Sequence, residues 1–236
     1  MLNSLEGTTG SVFYVDSGSG AAANTGLASD EALATIDQAI NKCAANNGDR
    51  IVVMPGHAGT VIAASGITCD IAGVEIVGLG DRSSRPTVTL GTSTAATIVM
   101  SAAGGTWENI SFVNDIDALA VGIPVTAAGC GFFDCSFTDS GTKNSVTWFT
   151  LSAAADQFQM IDCVNRGTDT AGNTSFLTGA AADEVKIVGL VSNGNFGAAN
   201  IDMSAAWTDC LIESCRLQNA NAVDVCIEGF AAATGW

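Results

Sequence analysis

The chain has one histidine, His57, and eight cysteines in 236 residues, so any chemistry it performs rests mainly on carboxylates and hydroxyls. Cleaving a glycosidic bond takes two carboxyl groups, or a calcium ion with a basic residue, within reach of one bond. Asp115 with Asp117, and Asp183 with Glu184, are local acid pairs. Asp134 falls in a repeat column whose other members align as Asn109, Met160, Ile187 and Ile212, with no lysine or arginine beside it. His57 follows Pro55 and Gly56 and has no second histidine for a relay, which reads as a turn residue. No GxSxG elbow occurs. Asp16 with nearby turn carbonyls offers either calcium oxygens or a plain Asx-turn. Cys130 and Cys135 are too far apart for a CxxC pair, and one histidine leaves no zinc pattern. The expectation is no catalytic residue, no metal, no cofactor and no enzyme activity.

The residues left for contact are large aromatics and scattered bases. Trp148 precedes Phe149 and by strand alternation should face outward, as a subunit contact, a sugar platform or a ring covered by a loop. Trp207, just after Ala205 and Ala206, is similar. Trp107 and Trp236 share an apolar column and read as core or interface. Arg82 and Arg85 lie in Asp81–Pro86, a segment expected to leave the body of the protein as a loop. Trp148, Trp207, Trp236, Arg82 and Arg85 are therefore the candidate subunit or capsid contacts.

These residues must be positioned by a repeat. A small or hydroxyl residue followed by two alanines recurs from Ser101, Thr126, Ser152, Gly179, Ser204 and Phe230, about 26 residues apart. Three places before these starts stand Ile98, Ile123, Phe149, Phe176, Ile201 and Ile227. Apolar and polar residues alternate within each unit, as in Ile110, Ser111 and Phe112, which is the period of a strand with one buried face. No LxxLxL pattern occurs, and a propeller blade needs about 40 residues. Stacked coils of short strands remain, a parallel β-helix with like residues in ladders.

Ahead of the coils, Ser29 is a good N-cap, Asp30 and Glu31 suit a helix start, and Leu33, Ile36, Ile40 and Cys43 form one apolar stripe. A helix over 29–47 is predicted, ending at Asn46, Asn47 and Gly48. The segment then runs from Arg50 through Ile51, Val52, Val53 and Met54 to Pro55 and Gly56. Together with Tyr14, Val15, Asp16, Gly26 and the Ala34–Ile40 stretch, it resembles the opening of pectate-lyase-like right-handed β-helix proteins. The resemblance implies a right-handed coil whose open end is plugged by the helix. The organisation expected is an arm at 1–12, a cap at 13–60 and β-helix coils at 61–236: an all-β, single-stranded right-handed parallel β-helix with an N-terminal capping α-helix.

Net charge is −16, with eight scattered Lys and Arg, which disfavours nucleic acid and anionic membranes as partners. The N-terminus lacks a basic n-region and a long apolar core, so no signal peptide is expected and the cysteines read as reduced, buried thiols. Many phages encode proteins of the resembled family. A short chain without an aligned catalytic cluster is thus expected to be a virion structural protein, a capsid decoration or cement subunit. It would be made in the host cytoplasm, sit on the particle surface, contact the major capsid protein or another virion protein, and form a homotrimer as viral β-helices do. The alternative is a tailspike-like polysaccharide-binding or polysaccharide-cleaving β-helix.

Overall fold

The computed structural model describes residues 8–167, 173–203, 205–221 and 225–229. Among them, three parallel sheets wrap one core. The first holds eight strands, from Val12–Val15 and Arg50–Val53 through Thr106–Glu108 and Gly131–Phe133 to Leu211–Glu213. The second runs from Ile67–Cys69 to Ile227–Gly229, and the third from Ala58–Val61 to Arg216–Asn219, with seven strands each. After the opening strand Val12–Val15, each coil gives one strand to each sheet, as a parallel β-helix requires.

The coils stack in register, so like residues lie over one another. Val88, Phe112 and Phe137 form one inward column of the third sheet, and Ile76, Trp107, Phe132, Met160, Ile187 and Ile212 one of the first. Phe137 lies 5.0 Å from Phe149 and 5.2 Å from Phe112, ring centre to ring centre, at the middle of an aromatic core.

The coils are less even than the sequence spacing predicts. On the outer face of the second sheet Pro124, Thr150, Thr178, Asp202 and Glu228 are paired in series, giving steps of 26, 28, 24 and 26 residues. Leu177, not Phe176, is the partner of Phe149 and Ile201. Ala180, not Gly179, follows the sheet as Ser152 does, each donating its N–H to the coil before.

The corner between the first and third sheets is made by one left-handed residue per coil. Asn109, Asp134, Asp162, Gly189 and Ser214 have φ of 56°, 46°, 53°, 68° and 55°. Asn, Asp and Gly accept this conformation at low cost, which accounts for the residue types. The true counterparts of Asp134 are thus Asn109 and Asp162, and the column is one of turn residues.

The cap differs from expectation. Ser29–Glu31 is a 3-10 turn, and the α-helix spans only Ile36–Ile40. Leu33 is held extended because its N–H donates to the Tyr14 carbonyl and its carbonyl accepts from the Asp16 N–H. The N-cap is therefore Thr35, in a capping box with Gln38. Ile36, Ala39 and Ile40 still bury against the end of the core.

Candidate functional site

The three sheets present different outer faces. The first carries Glu75, Glu108 and Glu213 outward with Arg50 and Lys186. The second carries Asp202 and Glu228, neighbours on adjacent strands, with Thr178 Oγ1 donating to Asp202 Oδ2 at 3.4 Å. Both acids stand two places before the repeat starts Ser204 and Phe230, a signal legible in the sequence.

The third sheet is the face without an outward carboxylate among the described residues. One outward column reads Ala58, Thr87, Ser111, Ser136, Val164, Val191 and Arg216. The next reads Thr60, Thr89, Val113, Thr138, Arg166, Asn193 and Gln218. Hydroxyls occupy the cap end, where Ser136 Oγ donates to Ser111 Oγ at 3.1 Å. Guanidiniums and amides occupy the other end.

A groove of about 200 Å³ opens there, lined by Arg166, Asn193, Arg216 and Gln218 with Val164 and Val191. Arg166 and Arg216 stand two strands and two residues apart, about 12 Å between Cα atoms. Arg50 and Arg85, by contrast, are engaged: Arg50 pairs with Glu75 at 2.5 Å and Arg85 with Asp134 at 3.4 Å. Neither Arg166 nor Arg216 forms an ion pair among the described residues.

A polar seam inside the tube fixes the strands beneath the groove. Asn165 and Ser192 take the inward positions that Phe112 and Phe137 hold in earlier coils. Asn165 Nδ2 donates to Ser192 Oγ at 2.9 Å, Ser192 Oγ to Asn200 Oδ1 at 2.5 Å, and Asn200 Nδ2 to the Gln218 carbonyl at 3.1 Å. These bonds tie the strands in this register, and Asn165 Oδ1 is left buried without a partner.

Most of the residues assigned to contact sit elsewhere. Trp148 and Trp207 are 1% and 2% exposed, so both rings belong to the core and neither offers a face to a partner or a sugar. Trp148 turns inward because Gly122 on the preceding coil leaves room for it; a Cβ at Gly122 would lie 2.8 Å from Trp148 Cε3. Trp207 lies against Gly179 in the same way. Arg85 is spent on Asp134 and ties its loop to the tube, while Arg82 is exposed on a 3-10 turn. Trp236 lies outside the described residues. Strand alternation alone could not find the two buried rings, because the room they fill is made by glycines on another coil.

Asp16 forms an Asx-turn, accepting from the Gly18 N–H at 2.9 Å and Ser19 Oγ at 2.6 Å, and these donors hold its pKa below the ordinary value. Asp156, Asp183 and Thr208 brace successive turns: Asp156 Oδ1 accepts the Asp183 N–H at 2.9 Å, and Thr208 Oγ1 donates to Asp183. Among the described residues no three His, Cys, Asp or Glu side chains gather as a metal site.

No family model and no curated protein matches the chain. A solved structure named rhamnogalacturonan lyase is similar in fold, with a TM-score of 0.52 and 13% identity, covering 95% of this chain and 64% of that one. The chain therefore has a β-helix fold shared with a polysaccharide lyase and spans about two thirds of that protein's length. The expectation that the chain is no enzyme does not stand against this likeness, since the solved neighbour is itself an enzyme.

Proposed function

We propose that the chain is a glycan-handling β-helix that binds an acidic polysaccharide along its third sheet and acts on it there. The carrying observation is the groove of Arg166 and Arg216 on a face without outward acids, in a chain of net charge −16. A guanidinium meets a carboxylate through two parallel hydrogen bonds, so two of them select uronate-type sugars over neutral ones. The hydroxyl columns of Thr87, Thr89, Ser111 and Thr138 continue the track toward the cap with neutral donors and acceptors. No carboxylate lines the groove, so hydrolysis by paired carboxylates lacks its groups there. Elimination beside a uronate carboxylate passes the C5 proton to a base, here hydroxide from solvent, forms the C4–C5 double bond and expels the C4 oxygen, which takes a proton from water; the arginines offset the charge that develops on the carboxylate. The fold likeness to a polysaccharide lyase supports the same class of reaction.

The homotrimer and the virion setting expected from the sequence belong to this proposal as its tailspike-like form. A capsid decoration role has lost the two aromatic anchors, Trp148 and Trp207, that would have served it.

Incubation with polygalacturonate, alginate and dextran tests the proposal. The expected result is a fall in polymer size with ultraviolet absorbance from unsaturated ends for an acidic polymer, and no change in dextran. No binding and no cleavage of either acidic polymer contradicts it.

A further inference from the structure

A second cavity lies at the other end of the tube, between the cap helix and the first coil. It measures about 230 Å³, and its lining includes the apolar Ile36, Val61 and Val88 and the polar Asp37 and His57. That is roughly the space of eight waters, or of one six-membered ring with its hydroxyls.

His57 is the polar group built into it. Its ring is 2% exposed. The Ser17 N–H donates to Nδ1 at 3.0 Å, and Ser17 Oγ accepts the Ala58 N–H at 2.8 Å, so the ring is locked from behind. With Nδ1 an acceptor, the proton resides on Nε2. Burial holds the imidazole pKa below its ordinary value, with Asp16 opposing, which keeps the ring neutral. Nε2 lies over Gly59, where a Cβ would be 2.9 Å away, so glycine at this position keeps the space beside Nε2 open. No residue of the chain accepts the Nε2 proton among the described hydrogen bonds. Asp37 faces the same cavity with a carboxylate steadied by the Thr68 N–H at 3.1 Å and Asn41 Nδ2 at 3.2 Å.

From this geometry we infer that the cavity under the cap helix binds a single neutral sugar ring. The ring lays its C–H face on Ile36, Val61 and Val88, accepts a hydrogen bond from His57 Nε2 and donates a hydroxyl to Asp37. An anionic sugar is refused by the Asp37 carboxylate, and a purely apolar ring leaves His57 Nε2 without an acceptor. The site is independent of the arginine groove, which lies several coils away on a different set of residues.

With a single histidine in the chain, one imidazole signal reports the cavity. The test is titration of the ¹⁵N-labelled full chain with D-glucose, D-galactose and D-mannose, following the His57 ring nitrogens. A saturable shift with at least one sugar is expected. Gly59→Ala places a methyl beside Nε2 and should weaken the response about tenfold or more. Asp37→Asn, which keeps the acceptor for Thr68, should also weaken it and serves where Gly59→Ala fails to fold. Arg166→Ala with Arg216→Ala should leave it unchanged. Absence of a saturable shift with all three sugars, or a shift undiminished in both folded cavity variants, overturns the site.

Discussion

Asn173 Nδ2 lies 3.4 Å from Asp139 Oδ2, while Asn173 Oδ1 is buried with no partner. Asp139 also accepts from Asn114 Nδ2 at 3.0 Å and from the Ser145 N–H at 3.2 Å, both on Oδ1. Burial pushes the Asp139 pKa up, against the pull of these donors. A protonated Asp139 would donate to Asn173 Oδ1 and satisfy both groups once the amide is turned over. A raised folded-state pKa means that the contribution to stability is full below the ordinary aspartate value of 3.8 and is lost as pH rises through the folded value. Asp139→Asn supplies the donor permanently. It should match the parent at acid pH and exceed it by about 1–2 kcal/mol at pH 8. Urea unfolding of both chains across pH checks this; a parent that gains on the variant as pH rises contradicts it.

Phe137 touches five rings, those of Phe112, Phe132, Trp148, Phe149 and Phe176, at 5.0 to 6.0 Å. Phe137→Ala opens a cavity that stacked coils cannot close independently, and should cost about 3–5 kcal/mol. A urea midpoint close to that of the parent would show that the ladder is not the stabilising centre.

Gly122 is shaped by Trp148 on the next coil. Gly122→Ala brings a methyl 2.8 Å from Trp148 Cε3 and 3.2 Å from its carbonyl, and should destabilise by about 1–3 kcal/mol. A neutral outcome in thermal unfolding would mean that the ring is free to move outward.

Burial raises the thiol pKa of Cys69 and Cys130 and pushes that of half-buried Cys43 up to about 12, while the Cys163 thiol is raised first by its hydrogen bond with Cys135 and then by burial. These cysteines should resist iodoacetamide in the native chain and react at the rate of unfolding. Peptide mapping after timed labelling reads this directly, and rapid native modification of Cys69 or Cys163 would contradict it.

The repeat made the coils legible, because in-register stacking forces like residues into columns and columns survive as sequence periodicity. Ile98, Ile123 and Phe149 could be read this way. The pattern slipped where turns change length: Met160 lies under Phe132, 28 residues on instead of about 26. The slip hid the true partner of Asp134 at Asp162. The third-sheet face stayed hidden for a related reason. Arg166 and Arg216 lie 50 residues apart in sequence, and only the register through Asn193 brings them to one groove. The short cap helix was misjudged because the pairing of Leu33 with Tyr14 and Asp16 is a long-range contact that outweighs local helix signals.

In the proposed function Arg166 and Arg216 hold an acidic glycan. Calorimetric titration of polygalacturonate oligomers into the chain and into the Arg166→Ala, Arg216→Ala double variant tests it most directly, with dextran and duplex DNA as controls. Saturable binding that weakens with salt and falls about 10- to 100-fold in the folded double variant, with neither control bound, is the predicted result. Equal affinity of the two chains, or equal binding of DNA, would contradict it.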